Sequence, residues 1–253
     1  MFTQRERRDL RECLIAAARV DERVTAAAVV GSAAADREDE WSDIDLAFRL
    51  AAGLEPADVA DAWTGRMYED HGAVDHLDVW SDRTLFRVFL LSSSMQVDLS
   101  FWPWETFAAS GAAFRLLFGE ANKSKSSSSP APQTLIGMGW LYALHARSSI
   151  ARGRNLQALY MVNGLRDHVA SLACLRHGLP AQQGRGVDDL PPDVMETIAK
   201  TLVRGLRRSE LSTALANAIA ALIDEAEQID PERASRLRQP ARELVCTASG
   251  RRS

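Results

Sequence analysis

The stretch from Asn122 to Pro132, NKSKSSSSPAP, constrains the fold more than any other feature of the sequence. A low-complexity run of Ser and Pro has nothing to bury, so it reads as a linker and not as part of a core. The hydrophobic residues keep different periods on its two sides. Before it they alternate, as strands require; after it they recur at helical spacing. A chain of 253 residues is long enough for two domains with a core each. The expected class is therefore α+β. A small mixed or antiparallel sheet with flanking helices is expected over residues 1–121, the linker over 122–132, and an all-α helical bundle over 133–253.

In the first part, Thr3-Gln4-Arg5-Glu6 is a capping box, and Leu10, Leu14, Ile15 and Ala18 then fall at helical spacing, which predicts a helix to about Val20. VTAAAVV, Val24 to Val30, is short and apolar and stops at Gly31-Ser32, as a buried strand entering a turn does. In the next strand Ile44, Leu46 and Phe48 share one face, leaving Asp43 and Asp45 on the other. Pro56 to about Asp70 predicts a helix with Val59, Ala60, Trp63 and Met67 inward. Strands are expected near Val74–Trp80, Leu85–Leu91 and Met95–Phe101. The last two are joined by Ser92-Ser93-Ser94 as an antiparallel hairpin. Within the second arm Met95, Val97, Leu99 and Phe101 alternate with Gln96, Asp98 and Ser100, so Asp98 points away from the apolar face.

Beyond the linker, helical blocks run from Leu135 to about Arg152, from Leu156 to Leu175 and from Val194 to Ile229, with a last helix after Pro231. Gly178-Leu179-Pro180 and Pro191-Pro192 separate them, and no internal repeat is visible.

Composition narrows the partners. With 46% hydrophobic and 25% charged residues the chain is an ordinary globular one. Its formal charge of -4 argues against a long nucleic-acid surface and for small ligands. Cys13, Cys174 and Cys246 have neither disulfide-framework nor zinc spacing, and no run is long enough to span a membrane. The start, MFTQRERRDLRE, is charged where a signal peptide becomes apolar, so a cytoplasmic protein is expected. The five histidines share no metal-ligand spacing.

The carboxylates are different. Two aspartates at i and i+2 of a strand point the same way, and a third from a neighbouring strand completes a set of hard oxygen ligands of the kind Mg2+ takes. Asp43, Asp45 and Asp98 meet that requirement if their strands are adjacent. Three converging acids without a cation would repel one another. Gly31-Ser32 supplies a tight turn after a strand. A short helix starting there would offer free N–H groups and a positive dipole end to phosphate, with the Ser32 hydroxyl adding a hydrogen bond. Ser42, just before the first acid, is placed to do the same for outer phosphates.

Taken together, VVGSAAADREDEWSDIDLAF resembles the signature of the polymerase-β-like nucleotidyltransferases: an apolar strand, Gly-Ser, a spacer of roughly ten residues, then Asp-apolar-Asp-apolar. Gln96-Val97-Asp98-Leu99 matches the pattern's third acid. The motifs span Val29 to Phe101. The resemblance implies that Asp43 and Asp45 bind two Mg2+ ions, that Asp98 joins the catalytic one, and that Gly31, Ser32 and Ser42 grip the triphosphate of a nucleoside triphosphate donor, ATP in the first instance. The implied reaction moves a nucleoside monophosphate to an alcohol and releases pyrophosphate. A small catalytic domain followed by a helical bundle also looks like the bacterial antibiotic nucleotidyltransferases that act on aminoglycosides or lincosamides, an analogy of architecture.

On the helical side, Tyr160, Asn163, Arg166 and Asp167 form a polar cluster with Arg152-Gly153-Arg154 nearby. Tyr160, Asn163 and Asp167 share a helical face, which makes them candidates for contacting a small hydroxyl acceptor in a cleft between the domains; the alternative is a network tying helices together. Phe101-Trp102-Pro103-Trp104 reads as packing at a strand exit, and Arg204–Arg208 as a solvated helix end. Two rival readings of the whole chain stay open: nucleotidylation of a partner protein or an RNA end, and a non-catalytic nucleotide-binding module.

Overall fold

The computed structural model describes residues 2–109, 113–123 and 130–248. The chain divides into two compact units, Met1–Ser127 and Ser128–Ser253. Most of the Ser/Pro run, residues 124–129, lies outside the described residues.

The first unit opens with α1 (Gln4–Val20). Its start is fixed by a capping box: Glu6 N donates to Thr3 Oγ1 at 3.2 Å and Thr3 N donates to Glu6 Oε2 at 2.7 Å. There follow β1 (Val24–Val30), the single turn α2 (Gly31–Ala34), β2 (Ile44–Leu50), α3 (Pro56–Asp70), β3 (Ala73–Ser81), β4 (Thr84–Leu91), β5 (Gln96–Trp102) and β6 (Phe114–Phe118). The six strands form one sheet in the order β3-β4-β5-β2-β1-β6. Every neighbouring pair is antiparallel except β2 and β5, which run parallel in a register that sets Asp45 beside Asp98.

Alternation decides what each sheet face carries. Ile44, Leu46 and Phe48 of β2 and Val97, Leu99 and Phe101 of β5 are fully buried against Leu14 and Ala18 of α1 and Val59, Trp63 and Met67 of α3. Phe48 and Trp63 hold ring centroids 4.8 Å apart in this layer. Each such side chain contributes about 1.5–3 kcal/mol of apolar burial, so the layer fixes both strands in register. On the opposite face the described residues bury a small cluster of Ala26, Ala28, Ala47 and Phe107, with Trp102 and Phe114 at its margin. The acids stand on this second face.

Two devices pin the outer strands. Arg87 on β4 is buried on the α3 side. It donates to both Asp78 oxygens at 2.6 and 2.7 Å, to Asp61 at 2.8 Å and to Thr64 at 2.8 Å, joining the β3–β4 hairpin to α3. The β4–β5 turn closes through Leu91 N to Met95 O at 2.9 Å, with Ser94 in the left-handed region. Strand β6 has no counterpart in the sequence reading. FRLLF does not alternate, and its strand state comes from pairing with β1, a contact local pattern does not encode.

The second unit is all helical, with α4 (Pro132–Ala151), α5 (Asn155–Arg176), α6 (Pro192–Lys200), α7 (Arg208–Ile229) and α8 (Pro231–Ala248). Its core joins Ile136, Val162, Leu165, Leu215 and Leu222. Gly164 lets α4 and α5 close up, since a Cβ there would run into the Tyr142 ring. Arg176 on α5 makes a two-pronged ion pair with Glu225 on α7, both bonds 2.8 Å. The block read as continuous from Val194 to Ile229 is broken after Lys200. Arg207 and Glu210 form a cap that starts α7, so the basic run Arg204–Arg208 leads into a helix N-terminus and not out of a C-terminus. Among the described residues no helix is long and apolar enough to cross a membrane.

Candidate active site

Asp43 stands immediately before β2, Asp45 is its second residue, and Asp98 is the third residue of β5. Because Asp45 and Asp98 are partners across the parallel pair, their side chains leave the same face of the sheet. One carboxylate oxygen from each of the three acids lies within 4.8 Å of the others, and all three residues are half-buried. That is far inside the distance of about 10 Å beyond which short Mg2+–oxygen bonds could not be shared.

The crowding tells on Asp98. Burial, with a further push from the charge of Asp43, raises its carboxyl to about 6, and a hydrogen bond from Gln96 offsets part of the effect. Gln96 Nε2 donates both to Asp98 Oδ1 at 2.9 Å and to Asp43 Oδ2 at 3.2 Å, so one amide bridges the acid on β5 and the acid that precedes β2. Its partial positive charge sits where charge compensation is needed. A divalent cation with oxygen preference fits this donor set: the ligands are hard, anionic and close, and their mutual repulsion is what a cation relieves.

The loop leading to Asp43 is held from below. Arg7, on the buried side of α1 and 3% exposed, donates to the backbone oxygens of Asp39 at 2.6 Å and Ser42 at 3.0 Å. Its Nε is 3.3 Å from Glu38 Oε1, an ion pair whose N–H is not aimed at the carboxylate, so that this nitrogen is left without a hydrogen bond. Glu38 is also gripped by Arg11 at 2.6 Å. Ser42 Oγ donates to Asp39 Oδ1 and accepts from Asp39 N, both at 2.9 Å, so in this structure the hydroxyl expected to meet phosphate is engaged in shaping its own loop.

Gly31 turns the chain at the end of β1 with φ +68° and lies against Asp45. The helix expected after it is the one turn of α2, too short to build a macrodipole. What the turn has to offer a phosphate is its individual N–H groups and the Ser32 hydroxyl.

Tyr160, Asn163, Arg166 and Asp167 all fall on α5. Arg166 donates to Asn163 Oδ1 at 3.0 Å and to Asp167 Oδ1 at 3.2 Å, a network within one helix, while Tyr160 is exposed. Trp102 packs edge-on against Phe86 and Phe107 and donates to Ser100, whereas Trp104 is partly exposed.

Sequence reasoning passed over Gln96 and Arg7. A signal existed for Arg7: it lies seven residues before Leu14 on the stripe that α1 buries, and a charge in an apolar stripe has a partner.

No family model matches the chain, and no curated protein matches its sequence. Among solved structures, an aminoglycoside 6-adenyltransferase from Bacillus subtilis is similar over 95% of this chain and 98% of that one, at 14% identity and a TM-score of 0.42.

Proposed function

We propose that this protein is a Mg2+-dependent nucleotidyltransferase that moves a nucleoside monophosphate, AMP from ATP in the leading case, to a hydroxyl of a small molecule in the cytoplasm. The observation that carries the reading is the convergence of Asp43, Asp45 and Asp98, from β2 and β5, to within 4.8 Å. It joins a sequence signature to a geometry that a solvated strand edge has no reason to build.

Asp43, Asp45 and Asp98 would hold the ions. When bound, two Mg2+ neutralise charge on the attacking and leaving oxygens of an in-line displacement. The chain's own residues do the rest. Gly31 and Ser32 offer N–H and hydroxyl donors to the triphosphate, and Ser42 does so if its bond to Asp39 is exchanged. The acceptor oxygen forms its bond to the α-phosphorus while the bond from that phosphorus to the α,β-bridging oxygen breaks. Pyrophosphate leaves with the electron pair. The hydroxyl proton passes to a carboxylate, for which Asp98 is the proposed acceptor.

Incubating the protein with labelled ATP, Mg2+ and a panel of aminoglycosides and lincosamides tests the proposal. Label is expected in the small-molecule fraction together with released pyrophosphate, and both should vanish in Asp45→Asn. Label in protein or RNA would replace the acceptor class. Unaltered ATP with every acceptor, despite measurable binding, would leave a nucleotide-binding module.

A further inference from the structure

We infer that the hydroxyl acceptor is a weakly charged, amphipathic molecule whose apolar body lies on β3 and β4, on the acid-bearing face of the sheet. This rests on the nucleotidyl-transfer reading and names its substrate class.

The observation is one of register. Val88 of β4 is the cross-strand partner of Asp98, Phe86 of Ser100 and Leu90 of Gln96. One strand further out, Leu77 pairs with Val88, Val79 with Phe86 and Asp75 with Leu90. Partners in a sheet share a face, so Phe86, Val88, Leu90, Leu77 and Val79 extend the surface that carries Asp98 and Asp45. The intervening residues confirm the parity: Leu85, Arg87 and Phe89 are buried on the α3 side.

This strip is open. Leu77 is 63%, Leu90 49% and Val79 46% exposed. A contiguous apolar patch beside a cluster of charged ligands is unusual for a soluble surface and marks a binding site. Strands are about 4.8 Å apart, so the patch starts one strand from Asp98 and reaches about 10 Å from it at Leu77, the span of a fused-ring or short alkyl body. An acceptor with its hydroxyl at Asp98 would cover it.

The chemistry of the strip selects against a polycation. Several ammonium groups would need carboxylates to pair with, and across β3 and β4 this face offers only Asp75, at one end. Leu77, Val79, Val88 and Leu90 would desolvate such a ligand without repaying it.

The experiment compares wild type with a Leu77→Ser/Leu90→Ser double variant, both positions being exposed enough to accept serine. Calorimetric titration without nucleotide uses octyl glucoside, a lincosamide and an aminoglycoside as probes, and labelled-ATP assays give KM for each. The expected result is binding and modification of the first two, with Kd and KM raised about tenfold or more in the variant and ATP·Mg2+ affinity unchanged. Modification of aminoglycosides alone, or a Kd for octyl glucoside and the lincosamide that ignores the double substitution, would overturn the inference while leaving nucleotidyl transfer standing. So would sedimentation showing a dimer that the variant dissociates, since a second copy would then own the strip. A wild type that binds no ATP·Mg2+ would sink the proposed function, and the titrations would still decide the strip.

Discussion

The carboxylate of Asp45 occupies the space a side chain on residue 31 would need: Gly31 sits at φ +68°, and a Cβ built on it would overlap Asp45 Oδ2. The glycine is required twice over, by its backbone conformation and by the acid beside it. The turn after β1 and the acid on β2 are thus one device.

Gly31→Ala therefore strains the left-handed turn by about 1–2 kcal/mol and pushes Asp45 off its position. The expected result is a modest fall in melting temperature but a loss of at least about tenfold in Mn2+ affinity, read by electron paramagnetic resonance. Unchanged Mn2+ binding would show that Asp45 has room to spare.

Asp98→Asn should stabilise the metal-free protein while removing its response to metal. The carboxyl of Asp98 is raised to about 6, chiefly by burial. A raised carboxylate penalises the fold only where it must ionise: the penalty is absent below the ordinary carboxylate range, grows as pH rises toward about 6, and is constant above. After discounting for partial exposure it is about 1–2 kcal/mol. In EDTA, wild type should lose that stability between about pH 4 and 6, and the variant should not. Added Mg2+ should raise the melting temperature of wild type only.

Arg7→Met leaves the carbonyls of Asp39 and Ser42 and the carboxylate of Glu38 without their buried partner. Denaturant unfolding should show a loss of about 2–4 kcal/mol, with Arg7→Lys recovering part of it. Because the same loop delivers Asp43, the Mg2+ concentration needed for half-maximal activity should rise in both variants. A purely structural arginine would move stability and leave that concentration alone.

Arg87→Met separates the outer hairpin from α3, at a cost of about 3 kcal/mol. Hydrogen bonds from Arg87 hold the Asp78 carboxyl below its ordinary range. A depressed carboxylate contributes stability that is present above its unfolded value and is lost as pH falls through its folded one. Wild type should show this acid limb below about pH 4 in equilibrium unfolding, and the variant should show a flatter one.

What could be read from the sequence was what neighbours in the chain decide. The Thr3–Glu6 cap, the alternation of β2 and β5, and the hairpin at Ser92–Ser94 are local patterns, and each lies where its residues put it. The three acids could be named from parity and motif, but their adjacency could not: it depends on β5 inserting beside β2, with no local pattern to announce it. β6 was invisible for the same reason. In the sequence Gln96 is only a flank of Asp98, because a bridging amide looks like any exposed polar residue until both acceptors are in place. The sequence places Ser42 to meet the outer phosphates but carries no sign of its bond to Asp39, which belongs to a turn that Arg7 holds from another element.

The one parallel pairing in the sheet also sets an order of events. Strands β4 and β5 meet by closing a tight turn, a microsecond process, whereas pairing β5 with β2 closes a longer loop that contains α3, β3 and β4, at a greater entropic cost. Asp45 and Asp98 are therefore expected to become neighbours after the hairpin has formed. During refolding from denaturant, a bound paramagnetic ion would report completion of the sheet, trailing the hairpin's own signal and marking the moment the three acids converge.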